Sequence, residues 1–102
     1  MLYKGNRTVK VLNYCRQLLI HQNNSCPICL SLISLSGLQG KKAQIDHDHK
    51  SGIIRGILCR SCNSHLVGCY EAKSHPLKYI TGQELLKVKN YVLNYPAKTF
   101  LI

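Results

Sequence analysis

Two Cys-x-x-Cys pairs, Cys26-Pro27-Ile28-Cys29 and Cys59-Arg60-Ser61-Cys62, frame residues 30–58 of this 102-residue chain. Such a pair folds into a tight turn that points two sulfurs at one metal, and two pairs supply the four thiolates of a tetrahedral zinc. Four thiolates close the coordination sphere and leave no position for water, so the site they form is structural. It also clamps the two ends of the intervening segment together. A chain this short buries only roughly 60–70% of its unfolded surface and gains much from a metal staple. Cys15 and Cys69 have no partner at ligand spacing and read as small buried hydrophobes. Three disulfides would use all six cysteines. The paired spacing favours zinc, and residues 1–7 lack the apolar core of a secretion signal.

Between the pairs lies the run Asp46-His47-Asp48-His49, and Asn63 directly follows Cys62. The setting is strongly basic: 14 Lys and Arg against 4 Asp and Glu give a formal charge of +10 and a pI near 9.6. A basic surface calls for a polyanionic partner, either nucleic acid or an anionic membrane. Acidic groups are scarce except where chemistry needs them: Asp46 and Asp48 sit in the run, and Glu71 and Glu84 complete the set. No segment approaches the ~20 continuous apolar residues of a membrane span. The most apolar stretch, residues 30–38, is broken by Ser31, Ser34, Ser36 and Gly37. The expectation is a soluble, intracellular, cytoplasmic protein with no membrane partner, encoded by a cell or by a phage acting in its host's cytoplasm.

Length and the absence of any repeat or linker predict one domain over residues 1–102. Residues 8–22 carry Val9, Val11, Leu12, Cys15, Leu18, Leu19 and Gln22 in an amphipathic helical pattern, ended by Asn23-Asn24-Ser25. A loop covers 30–42. Residues 43–47 read as a strand, 48–52 as a turn with Gly52 free to take positive φ, and 53–58 as the return strand. Residues 63–70 read as a helix with Leu66, Val67 and Tyr70 on one face, interrupted at Ser74-His75-Pro76. A last helix over 81–95 opens with Thr81 and Glu84 as a capping box and stops at Pro96. Its apolar residues and those of the first helix serve either the monomer core or a homodimer interface.

The Asp46 carboxylate and the Asn63 carbonyl oxygen suit a hard divalent cation, Mg²⁺ or Mn²⁺, which keeps several waters and takes phosphate oxygens. His47, with an ordinary pKa near 6.5, is suited to take a proton from an attacking water at neutral pH. On a regular strand Asp46 and His47 point to opposite faces, so both reach one pocket only where the strand ends and the geometry relaxes. Arg55, Arg60, Lys41, Lys42 and Lys50 lie beside the motif as candidate phosphate contacts.

At these residues the sequence resembles a known family. Cys26-x-x-Cys29, Asp46-His47-Asp48-His49 and Arg55-Gly56-Ile57-Leu58-Cys59-x-x-Cys62-Asn63, followed by Leu66 and Gly68, look like the recombination endonuclease VII branch of the HNH nucleases. The resemblance covers roughly residues 18–70. It implies an α+β fold: a small zinc-stapled ββα-metal (His-Me finger) domain with flanking N- and C-terminal helices. It implies structural zinc at Cys26, Cys29, Cys59 and Cys62, and a catalytic cation on Asp46 and Asn63. It further implies His47 as general base, His49 near the scissile phosphate, and DNA products ending in a 5′-phosphate and a 3′-hydroxyl. The resolvase that gives the family its name has an acidic residue three positions after the Asn, where this chain has Leu66, and continues into a further junction-binding region. Nicking or double-strand cleavage is therefore expected ahead of Holliday-junction resolution.

Two other classes compete. A zinc-ribbon nucleic-acid-binding protein without catalysis explains the cysteines and the charge, but not Asp46, His47 and Asn63 together. A redox dithiol protein explains the Cys-x-x-Cys pairs alone. Taken singly, Asp-His is a structural hydrogen-bonded pair and Asn63 a helix cap. His21, His65 and His75 read as surface or packing residues, and Tyr79, Tyr91 and Tyr95 as packing residues before base-stacking ones.

Overall fold

Thr8 starts the first helix in the computed structural model, which describes residues 1–35, 41–72 and 81–100. Its hydroxyl accepts a hydrogen bond from the Val11 amide at 3.2 Å, satisfying one of the unpaired donors of the helix start. Helix α1 (Val9–His21) buries Val11, Tyr14, Cys15, Leu18 and Leu19, while Val9, read as part of that stripe, stays exposed. Asn23 and Asn24 then take left-handed backbone angles (φ 57° and 55°), which Asn tolerates better than most residues, and the helix stops.

Strands β1 (Ala43–His47) and β2 (Ile54–Cys59) form a two-stranded antiparallel sheet, with Ala43 opposite Cys59 and Ile45 opposite Ile57. Their turn is held by the Asp48 carboxylate, which accepts from the Lys50 and Ser51 amides at 2.7 and 3.0 Å. Gly52 takes φ 79° there, a conformation a side chain would strain. β2 opens one residue later than expected because Ile53 bridges to Leu2 instead. The Gly52 carbonyl accepts from the Tyr3 amide at 2.7 Å and the Met1 carbonyl from the Ile54 amide at 3.0 Å, so the N-terminal residues run beside the start of β2.

Every residue of β2 is buried, and α1 packs on it. The Gln22 side chain finishes that contact. Its carbonyl accepts from the Ile57 amide at 2.8 Å and its amide donates to the Ile57 carbonyl at 2.7 Å. An amide side chain thus does for β2 what a third strand would do, leaving no orphaned backbone group at that point.

The chain stays helical over residues 60–72, but not as the regular α-helix expected over 63–70. Cys62–Val67 winds as a π-helix, with the Gly68 amide reaching back to the Asn63 carbonyl, and only Gly68–Ala72 is α-helical (α2). The wider winding turns Leu66 into the core and leaves Asn63 half-buried. Helix α3 (Gly82–Leu93) has both halves of the capping box: Thr81 Oγ1 accepts from the Glu84 amide at 3.1 Å, and Glu84 accepts from the Thr81 amide at 2.8 Å. A 3₁₀ turn, Pro96–Lys98, follows and packs on β2. Val88 and Tyr91 of α3 join the same core as the α1 residues, and Cys15 and Cys69 are buried within it. The expected break at Ser74-His75-Pro76, the residue Tyr79 and part of the 30–42 loop lie outside the described residues. Among those described, no helix is long and apolar enough to cross a membrane.

Candidate metal centre and active site

The four cysteines at the ends of the clamped segment come together. Their sulfurs all lie within 4.8 Å of one another, and Cys29 Sγ is 3.8 Å from Cys59 Sγ. Zinc–sulfur bonds of about 2.3 Å in a tetrahedron set sulfurs roughly 3.8 Å apart, so this cluster could hold a zinc ion. The first knuckle turns through Leu30 at φ 65°, closed by hydrogen bonds from the Leu30 amide to the Cys26 carbonyl and from the Cys26 amide to the Ser31 carbonyl. A hydrogen bond shared with the Cys62 thiol, together with nearby backbone amides, holds the Cys26 thiol below its ordinary range in spite of its burial. Metal ligation needs that thiolate form. Cys15, away from the cluster, is pushed the other way, to about 11, chiefly by burial.

At the far end of β1 the strand register breaks. Asp46 pairs with Gly56 but His47 pairs with Ile54, so Arg55 is an extra residue in β2 and the ladder bulges between Asp46 and His47. This is where a regular strand would have sent the two side chains to opposite faces. The His47 ring packs at a tilt against Tyr3 (centroids 5.0 Å apart, planes at 59°) and His49 (4.7 Å, 42°). Burial, reinforced by His49, holds its pKa below the ordinary value. The imidazole is thus neutral near pH 7 and able to accept a proton.

Asp46 is only 3% exposed and is held by three hydrogen bonds. Arg55 Nη2 donates to Oδ1 and Nε to Oδ2, both at 2.9 Å, and the Tyr91 hydroxyl donates to Oδ2 at 2.6 Å. Arg55 Nη1 donates to Glu71. Arg55, expected among the phosphate contacts, is instead 3% exposed, with its guanidinium committed inside the protein. Burial works against its charge, but Glu71 and Asp46 keep it protonated. Removing either carboxylate would leave the buried guanidinium with one of its two partners, which is costly.

Tyr91 reaches Asp46 across Gly56, the register partner of that aspartate. A Cβ at Gly56 would lie 2.8 Å from the Tyr91 hydroxyl and 3.2 Å from Pro96 Cδ. Gly56→Ala is accordingly expected to lower stability by about 1–3 kcal/mol through overpacking. A urea melt with an unchanged midpoint would show that this gap is not required.

Asn63 enters from the first turn of the π-helix. Its amide nitrogen donates to Gln44 Oε1 at 3.1 Å, leaving its carbonyl oxygen for other partners. A cleft of about 580 Å³ gathers Asp46, His49, Lys50, Asn63, Tyr70 and Glu71. Asp48 also lines it, but its carboxylate is engaged in the hairpin turn, whose backbone amides hold its pKa low. Lys41, Lys42, Lys50 and Arg60 lie outside the core, and the Lys41 ammonium donates to Ser31 Oγ at 2.8 Å. His21 and His65 are exposed. Glu71, Tyr91, Gln44 and Tyr3 were not anticipated as part of the site. Of these only Tyr91 left a trace in the sequence: it falls three residues after Val88 on the core face of α3, opposite a glycine in a strand of otherwise larger residues.

A family model for recombination endonuclease VII matches residues 4–87. Among curated relatives, the Gene 59 protein of Mycobacterium phage D29 is 35% identical over 71 residues, and that of Mycobacterium phage L5 is 32% identical over 71 residues. Each match covers 66% of this chain and 41% of the relative, so the chain spans about two fifths of their length. No solved structure matches the chain.

Proposed function

The chain belongs to the recombination endonuclease VII family, and from that premise we infer that it is a metal-dependent DNA endonuclease of the HNH, ββα-metal type, stapled by a four-cysteine zinc. The observation that carries this reading is the cleft where Asp46 from β1, His49 from the hairpin turn and Asn63 from the π-helix meet, with His47 packed against His49.

The donor set fits a hard cation. Three hydrogen bonds use three of the roughly four lone-pair sites of the Asp46 carboxylate, which leaves one on Oδ1. Gln44 takes the Asn63 amide nitrogen, so the oxygen is the atom left over. Two oxygens of this kind suit Mg²⁺ or Mn²⁺, with waters and phosphate oxygens making up the rest. When bound, such a cation neutralises charge on the scissile phosphate and stabilises the leaving 3′-oxygen.

The chain's own residues do the remainder. His47, neutral at pH 7, accepts the proton of the attacking water. His49, on the hairpin turn, sits beside the phosphate. Lys50 at the cleft, with Lys41, Lys42 and Arg60 outside it, attracts and positions the phosphate backbone. Arg55 acts from within, holding Asp46 in place. The zinc cluster fixes the start of the π-helix against the hairpin, which keeps Asn63 near Asp46. With Leu66 in the core, the helix offers no carboxylate at that position, which favours nicking or double-strand cleavage over junction resolution. Kinship with phage proteins suits an enzyme working inside a host cell.

The test is to analyse the ends. Nicks made in duplex DNA should be sealed by DNA ligase, as 5′-phosphate and 3′-hydroxyl ends require. A protein that retards DNA in a gel and never cuts it would be a binding-only zinc module.

A further inference from the structure

Tyr91 lies in α3, outside the residues 4–87 that the family model matches and 45 positions from Asp46. Its hydroxyl nevertheless donates to Asp46 Oδ2 at 2.6 Å, and Arg55 Nε donates to the same oxygen at 2.9 Å. Both lone pairs of Oδ2 are therefore engaged, whereas Oδ1 carries one donor, Arg55 Nη2, and keeps one lone pair. The approach is built into the sheet: the residue opposite Asp46 is Gly56, and any side chain there would collide with the phenol. Tyr91 is 5% exposed, and its hydroxyl is spent on this one carboxylate oxygen.

We propose that Tyr91 is a positioning residue for the Asp46 carboxylate: beside the Arg55 fork it fills the second lone pair of Oδ2 and reserves Oδ1 for a divalent cation, making the C-terminal helix part of the active site. The proposal rests on the reading of Asp46 as a cation ligand. Without the hydroxyl, Oδ2 regains a lone pair and only the Arg55 fork restrains the carboxylate. Loss of such a supporting hydrogen bond typically costs about 10–100-fold in metal affinity or activity.

The experiment uses zinc-loaded protein without DNA and follows Mn²⁺ binding through the electron paramagnetic resonance signal of the free ion. Tyr91→Phe keeps the ring and removes only the hydroxyl. Its Mn²⁺ dissociation constant is expected to rise about 10-fold, and the Mg²⁺ concentration that half-saturates cleavage to rise with it. A tyrosine that merely packs would lower the melting midpoint and leave Mn²⁺ affinity of the folded protein unchanged, which would overturn the proposal. Asp46→Asn, measured beside it, separates the two ideas. If Asp46→Asn loses Mn²⁺ while Tyr91→Phe binds it normally, the positioning role alone is wrong. If Asp46→Asn binds Mn²⁺ like the wild type, the cation reading fails and takes the proposal with it. Should Asp46→Asn not fold, Asn63→Ala takes its place as the ligand control.

Discussion

His47→Ala is expected to slow DNA cleavage by about 10²–10⁴-fold, the range that general acid–base groups contribute, with zinc content and DNA affinity unchanged. The ring stands at the bulge that ends β1, packed against Tyr3 and His49 and kept neutral by its half-buried setting. Truncation removes the proton acceptor and a packing partner, while the Asp46–Arg55–Tyr91 cluster and the cysteines stay as they are. Stability should therefore fall by only about 1 kcal/mol, in line with an ordinary point substitution. Cleavage at the wild-type rate by the mutant would remove His47 from the mechanism and turn attention to His49, the histidine that lines the cleft itself.

The second large effect concerns zinc. Stripping the metal, or changing Cys59 to Ser, is expected to abolish the cooperative urea transition. Structural zinc in finger peptides is worth about 10–16 kcal/mol of apparent binding energy, against a whole-domain stability of about 5–15 kcal/mol. The four sulfurs join the first knuckle directly to the end of β2 and the helix start, where Cys26 and Ile28 add only a small share of the buried core. Cys15→Ala provides the contrast. That thiol is buried in α1, away from the cluster, and its loss should cost on the order of 1 kcal/mol. If apo-protein melted as sharply as the zinc-loaded form, the staple would be unnecessary and the cysteines would need another explanation.

What the sequence revealed was local. The cysteine cluster, the hairpin, the Thr81–Glu84 capping box and the α1 stripe each depend on residues close together in the chain, or on a spacing with one chemical meaning. The contacts that organise the cleft are not of that kind. Tyr91 and Asp46 are 45 positions apart, and Gln22 and Ile57 are 35. Neither pair carries a spacing rule, and an Asn, Gln or Tyr that satisfies a buried group looks like any other before the chain folds. Arg55 shows the cost of reading charge without burial. In a basic chain it counts as one more phosphate contact, yet β2 is buried along its whole length, and the arginine in it needs internal carboxylates. The π-helix was equally hidden, since a Cys-Asn-Ser-His-Leu-Val run has no propensity signature that separates π from α winding.

The central claim is hydrolysis of DNA at the cleft lined by Asp46, His49 and Asn63, with His47 packed against His49, and conversion of supercoiled plasmid tests it most directly. Zinc-loaded protein is incubated with plasmid in Mg²⁺ or Mn²⁺, and in EDTA for a time short enough that measured zinc content stays intact. Nicked or linear product that depends on the added cation is the predicted result. Folded, zinc-loaded protein that binds the plasmid and leaves it supercoiled in both cations would contradict the claim.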